Sequence, residues 1–399
     1  MGGTEIHSLA PCDSESAGEV FQEVDNRAMN RRPLSAIVLA AGEGTRMRSG
    51  TPKPLHRLCG RPMVLYVLDA LGELAVERGV VVVGHGATEV TKTIQAEAPQ
   101  HLAIEFVEQP EQRGTGDAVA VALTGLFGSY GAADFDEGDV IVLPGDTPLV
   151  LGATLASLVE GHRAGAGAAT LLTARLDQPS GYSRIVRDKD GRVARIVDEH
   201  DATEHERQID EVATTVYCFR HGVLAPALRR LSPDNSLGEY YLTDTVAVLH
   251  DAGYAVTTVV VPDPAEAMEV NDRAQLASAE AELRTRINRR WMLRGVTMWD
   301  PGQTYLDASV RLAGEVTLLP GVILEGRTTV GGGAVLGPSV HLVDCEVGAG
   351  AVLSHTVASH AVIGEQCSVG PYVVLERGAR LASGERRGPL SASGSGATS

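Results

Sequence analysis

A six-residue repeat governs the C-terminal third of the sequence. Leu306, Leu312, Leu318, Leu324, Val330, Leu336 and Leu342 recur at every sixth position, and Val310, Val316, Val322, Thr328, Ala334 and Val340 follow the first six by four. After an irregular stretch Val357, Ile363, Val369, Leu375 and Leu381 resume the register, with Ala361, Cys367, Val373 and Ala379 four behind. A period of six fits neither an α-helix nor an ordinary strand. It is what a triangular parallel β-helix requires: one aliphatic side chain per hexapeptide points inward on each face, and small residues fit near the corners. Solenoids need caps, and many of them associate, so an oligomer is expected.

The rest of the chain has a different texture. SAIVLAAG from Ser35, GVVVVGHG at 79–86, AIEFVEQ at 103–109 and DVIVLPGD at 139–146 are short β-branched runs ending in glycine or polar residues, separated by helical stretches. That alternation predicts an α/β, Rossmann-like unit with a parallel sheet covered by helices on both faces, and ligands at the carboxyl ends of its strands. We place this unit at 34–272, a connecting helix at 273–303 with Leu276, Leu283, Ile287 and Trp291 at helical spacing, and the β-helix at 304–381. Residues 1–33 lack an apolar period and 382–399 are Ser/Gly-rich, so both ends are expected to be disordered tails.

Bulk properties narrow the function. With 399 residues, 44% of them hydrophobic, the chain can build two cores. A formal net charge of -17 disfavours general binding to nucleic acid or anionic membrane. Five scattered cysteines without a CxxC pair point to neither a disulfide framework nor zinc, and no apolar run reaches spanning length, so a cytoplasmic location is expected.

One segment stands against the acidic background. Between Arg46 and Arg61 lie five basic residues and no acid. Just before it, the first strand runs into LAAGEGTRM, where Gly42 and Gly44 free backbone N–H groups to close on phosphate oxygens. Arg46 and Lys53 can neutralise a triphosphate there. The turn is neither the dinucleotide fingerprint, since Met47 occupies the third glycine's place, nor a Walker A loop. Gly84-His85-Gly86 reads as a plain turn, and GEYYLTD at 238–244 as the start of a helix whose tyrosines pack beneath the cleft.

LAAGEGTRMRSGTPKPLH resembles the signature of sugar-1-phosphate nucleotidyltransferases, and is closely similar to the bacterial bifunctional N-acetylglucosamine-1-phosphate uridylyltransferase/glucosamine-1-phosphate acetyltransferase family. EQPEQRGTGDA, PGDTPL, SGYSRI, DATEHERQIDEV, GEYYLTD and EVNDRAQL follow in order, so the likeness spans about 35–381. It implies a left-handed β-helix, a homotrimer, and Mg²⁺ held by Asp146 and Asn271. It also implies that Leu39, Ala40, Ala41, Gly42, Gly44 and Thr45 hold the nucleotide, that Gln109, Gly114 and Thr115 read uracil, and that Gly145, Gly181, Asp198 and Asn271 face the sugar. Arg46 and Lys53 would stabilise pyrophosphate and the transition state. UTP and N-acetylglucosamine-1-phosphate would be the substrates, and UDP-N-acetylglucosamine and pyrophosphate the products. Asp146 alone could be a turn residue and Asn271 a helix N-cap.

The resemblance lapses on the sugar side. Ala213, Thr214 and Thr215 stand where the family has an Asn-Thr-Gly type triplet, Asp198 replaces a Glu, and Ser183 replaces a Gly. Another hexose-1-phosphate or dTTP is therefore an alternative substrate, and a non-catalytic nucleotide-binding scaffold an alternative role. The family's acetyltransferase turn, Arg-Pro-Gly, is Glu376-Arg377-Gly378 here, the later coils do not follow, and His355 and His360 lie on earlier coils. No acetyltransferase activity is expected.

Overall fold

A computed structural model describes residues 32–127, 138–235 and 238–389. Of the tails expected at 1–33 and 382–399, residues 1–31 and 390–399 lie outside the described residues. All four runs read as strands form: β1 Leu34–Ala40, β2 Arg78–Val83, β3 Ile104–Glu108 and β4 Asp139–Pro144. They are joined by β5 Ala169–Arg175, β6 Arg184–Arg187, β7 Val193–Val197, β8 Glu211–Arg220 and β9 Val256–Val260 in one sheet of order β9-β5-β8-β4-β1-β2-β3, with β6 and β7 hung on β8.

Alternate residues of β1 feed two cores. Ala36, Val38 and Ala40 pack with helices α1 Met63–Gly72, α2 Ala87–Glu97 and, past α3 Thr115–Phe127, α4 Gly152–Ala164. Ile37 packs on the other face with α3, α5 His221–Leu228 and α6 Thr245–Asp251. Helices thus cover both faces, as the period-2 and period-3.6 patterns require. The sheet is not wholly parallel, however. β8 runs antiparallel to both β4 and β5. A parallel return needs a crossover, whereas the chain between β5 and β8 makes the antiparallel β6–β7 hairpin and arrives reversed. An apolar run carries no sign of its direction.

Helix α7, Arg273–Met292, starts at Asp272, whose side chain accepts a hydrogen bond from Gln275 N (2.8 Å). The N-cap is therefore Asp272 and not Asn271. Ala279, Leu283, Ile287 and Trp291 form its buried stripe, in a single cluster that contains Leu58, Met63, Leu149 and Val270 on one side and Leu306, Val310 and Leu324 on the other. Each fully buried aliphatic contributes about 1.5–3 kcal/mol, so the helix fastens the two parts together.

The remainder is a left-handed β-helix of three parallel sheets. One ladder pairs Thr317 with Val335, Val335 with Val352, Val352 with Ser368 and Ser368 with Arg386. The seven leading residues from Leu306 to Leu342 are all buried. Corners turn through left-handed backbone at Glu315, Ser339, Asp344, His355, His360, Gln366 and Tyr372. Two expectations need correction. Val357 is 45% exposed, and Ala358 (2%) takes the inward place opposite Leu342. Counting strictly by six misses the corners that are one residue shorter: Leu342, Val347, Leu353, Ala358 and Ile363 are the successive buried positions. Nor does the coil stop at 381. Arg386–Arg387 is a strand, bonded through Ser368 N to Glu385 O (3.0 Å) and Gly370 N to Arg387 O (2.8 Å), because the preceding rung supplies partners whatever the composition.

Candidate active site

The carboxyl ends of β1 and β4 open onto a cavity of about 250 Å³. Leu39, Ala40, Ala41 and Gly42 form its floor where β1 leaves the sheet, and Gly145 and Asp146 enter from the end of β4. Gly145 lies against β1, donating its N–H to Leu39 O at 2.8 Å, and an added Cβ would meet that oxygen at 3.2 Å. Gly42 has open space around it, whereas Gly44 is left-handed and a Cβ there would press on Lys53 Cβ at 2.7 Å. The two glycines thus do different work: one leaves room, the other lets the turn close on Lys53. Thr45 begins a short 3-10 turn through Met47 and is exposed.

Lys53 occupies the centre. Its ammonium contacts Asp146 Oδ2 and donates to Asn271 Oδ1 at 2.7 Å, with only 13% of the Lys53 side chain and 18% of the Asp146 side chain exposed. Arg46 Nη2 donates to the same Asn271 Oδ1 at 3.0 Å. Four residues drawn from three distant segments therefore meet. Asp146 Oδ1 is buried and has no hydrogen-bond partner among the described residues. One carboxylate and one amide oxygen converging on a cation, with the second oxygen of that carboxylate unsatisfied beside them, fit a small divalent ion that fills its remaining positions from water and phosphate.

On the opposite wall Gln109 is 4% exposed, and its Nε2 donates to Gly114 O (3.2 Å) and Asp117 Oδ2 (2.7 Å). The donor half of this amide is thus committed, and Oε1 is the atom able to accept from an imide N–H. Gly114 has φ +102°, and a Cβ would meet Tyr240 O at 2.6 Å. The segment from Gly238 forms this buttress by backbone: Tyr240 N donates to Arg113 O (2.8 Å), and Leu242 N to Thr115 Oγ1 (2.9 Å). The tyrosines support the wall chiefly through main chain rather than as a helix floor, since the helical turn begins only at Leu242.

The remaining sugar-side candidates do not meet there. Asp198 accepts from His200 N (3.0 Å) in its own turn, and Gly181 donates its N–H to Glu199 instead. Ala213 is buried and presents no polar atom beyond its backbone. Sequence reasoning missed Gln112, whose Nε2 ties down Ala41 O (2.8 Å), and Glu239, which lines the cavity with Thr215, a residue marked only as a departure from the family triplet. It also missed Glu269, which accepts from Thr215 Oγ1 at 2.8 Å. Burial and the neighbouring Asp146 charge push the Glu269 carboxyl up to about 7, against the pull of Thr215, Lys53 and Asn271. No sequence period marks it; only the tertiary meeting of β8 with the 264–271 segment does.

A larger cleft of about 870 Å³ lies away from this chemistry, between α1, α7 and the β-helix. Arg61 pairs with Asp69 inside it, and Arg286 with Asp263 beyond its lining. Among the described residues no helix is long and apolar enough to cross a membrane, and no group of three or more His, Cys, Asp or Glu is placed to hold a metal.

Known proteins resemble the chain over most of its length. The family described as MobA-like NTP transferase domain matches residues 36–241. Bifunctional protein GlmU of Thermobifida fusca is 46% identical over 333 residues, 84% of this chain and 68% of the relative. The GlmU of Kineococcus radiotolerans is 47% identical over 88% of this chain and 69% of its own. That of Desulfitobacterium hafniense is 44% identical over 87% and 73%. With relatives this similar across both the nucleotide-binding sheet and the β-helix, the chain belongs to the GlmU family and is a nucleotidyltransferase of the UDP-N-acetylglucosamine diphosphorylase type.

Proposed function

We propose that the chain transfers a uridylyl group from UTP to N-acetylglucosamine-1-phosphate, giving UDP-N-acetylglucosamine and pyrophosphate. The observation that carries this reading is the convergence of Arg46, Lys53, Asp146 and Asn271 at the strand ends above the Leu39–Gly42 turn. The turn receives the phosphates, and Gln109 Oε1 accepts the uracil N–H. Arg46 and Lys53 then offset charge while a sugar-phosphate oxygen forms a bond to the α-phosphorus in line. The bond from that phosphorus to the oxygen bridging to the β-phosphate breaks, and pyrophosphate leaves with the electron pair. Asp146 and Asn271 would hold Mg²⁺, which when bound orients the phosphates and neutralises their charge. Pyrophosphate release from UTP, Mg²⁺ and N-acetylglucosamine-1-phosphate tests this, with Asp146→Ala as the control. Turnover unchanged by that substitution, or none in the parent with any sugar phosphate, refutes it.

A second acceptor is favoured by Ala213, which offers no side-chain polar atom, and by Asp198, whose carboxylate caps its own turn. Comparing kcat/KM for glucose-1-phosphate and N-acetylglucosamine-1-phosphate, with UTP and with dTTP, decides between them.

We further propose that the described coils carry no acetyltransferase site. Glu376 and Arg377 are exposed at the relevant turn, and His355 is committed to a ring contact with Tyr372 (centroids 4.9 Å apart). Their role is assembly. The outward ladder Tyr305, Ile323, His341, Val357 and Val374 leaves Tyr305 42%, Val357 45% and Val374 76% exposed, an apolar strip suited to a homotrimer. Free, buried cysteines at 59, 218, 345 and 367 accord with the cytoplasm.

A further inference from the structure

Asn271 is useful to a cation only through Oδ1. An amide can rotate half a turn about its last bond and present Nδ2 instead, which would repel Lys53, Arg46 and any metal alike. In the structure Oδ1 accepts from both Lys53 (2.7 Å) and Arg46 (3.0 Å), so Nδ2 faces the other way, where Glu269 Oε2 lies 3.5 Å from it. Glu269 can only accept from an amide N–H in this contact. Its other oxygen, Oε1, is held by the Thr215 hydroxyl at 2.8 Å. Thr215 itself sits at a β-bulge with φ +56°, backbone that favours glycine and strains a β-branched residue. A side chain tolerated there at such cost has a task, and the bond to Glu269 is the contact it makes.

We propose that Thr215 and Glu269 form a positioning relay that locks the Asn271 amide with its oxygen toward the cation site. The inference rests on the nucleotidyl-transfer reading and adds two residues to it. Neither need touch the reacting atoms: Thr215 fixes the Glu269 rotamer, and Glu269 fixes which face of Asn271 the ligands meet. Partners of this kind orient a metal's direct ligands, and removing one commonly weakens metal binding by about ten- to a hundredfold.

The test uses the full chain with Mn²⁺ and UTP and no sugar phosphate, read by water-proton relaxation, which distinguishes protein-bound Mn²⁺·UTP from the free chelate. Glu269→Ala is expected to weaken the ternary complex by about ten- to a hundredfold, while UTP affinity measured in EDTA stays as in the parent. Glu269→Gln, which keeps an acceptor for Nδ2 and reverses the second bond by donating its own N–H to Thr215 Oγ1, is expected to restore most of it. Thr215→Val, which keeps the shape and loses the hydroxyl, is expected to fall between. Parent-like affinity in Glu269→Ala overturns the relay, as does a Gln variant no better than the Ala variant, because charge rather than amide orientation would then be responsible. Should Glu269→Ala fail to fold, Thr215→Val against Glu269→Gln decides: equal affinities overturn the relay. A parent chain showing no relaxation enhancement refutes the metal–nucleotide reading itself, and the relay with it.

Discussion

Lys53 sits where a metal would be expected, and replacing it with methionine should move two observables in opposite directions. Its ammonium bridges Asp146 and Asn271 with most of both charged side chains out of water. At an effective dielectric of about 20, opposite charges in such a contact attract by about 4 kcal/mol, before the cost of desolvating them. Lys53→Met removes that attraction and leaves the Asp146 carboxylate without its partner. Turnover should fall about 10²–10³-fold, the usual cost of deleting one preorganised charge or donor at a transition state, or about 2.7–4 kcal/mol. Affinity for Mn²⁺ alone should rise, because the ion no longer competes with a tethered ammonium for the same two oxygens. Pyrophosphate release gives the first quantity, and electron paramagnetic resonance of free Mn²⁺ the second. A variant within tenfold of parental kcat, a loss below about 1.4 kcal/mol, would show that the lysine does not stabilise the transition state. Mn²⁺ affinity unchanged or weaker would show that Lys53 does not share its partners with the metal.

Gly114→Ala should raise the KM for UTP and lower the melting temperature, since the new Cβ would strike Tyr240 O at 2.6 Å in left-handed backbone, at a cost of about 1–3 kcal/mol; calorimetry and initial rates check both. Burial works to raise the Asp139 carboxyl, but His162, whose Nε2 lies 3.5 Å from Oδ1, the hydrogen bond from Arg163 Nε (2.9 Å) and the charge of Arg32 outweigh it and hold the group below the ordinary carboxylate range. A depressed acid stabilises the fold fully above its unfolded pKa of about 4 and loses that contribution as pH falls through the folded value, so Asp139→Asn should be less stable at pH 7 and converge on the parent in acid. Urea melts across pH 2.5–7 measure it, and a constant difference would refute it. Val374→Glu, placed on the exposed ladder, should turn the proposed trimer into monomers by light scattering without loss of the circular dichroism of the β-helix, and a parent that is already monomeric would refute the trimer.

The parts legible in the sequence were those with a local signature. The hexapeptide register located the rod because each inward position demands the same kind of residue. It failed at Val357, where a corner shortened by one residue shifts the count. The glycine turn with Arg46 and Lys53 was readable as a candidate phosphate loop because phosphate chemistry needs those types close together, whereas Asp146, two residues beyond β4, took its metal role only from the family resemblance. Strand direction was not, since β8 has the same apolar texture either way. Glu269 and Gln112 were invisible for a different reason: each is an ordinary polar residue until folding brings it to Asn271 or to Ala41.

Asn271 precedes the N-cap of α7, and the far half of that helix is embedded in the same apolar cluster as Leu306 and Leu324. One wall of the reaction chamber is thus bolted to the rod. Cutting the chain after position 272 would leave Asn271 at a free end, with Gln275 Oε1 no longer receiving its backbone N–H at 2.7 Å, so the placing of that asparagine depends on the helix that ties sheet to coil.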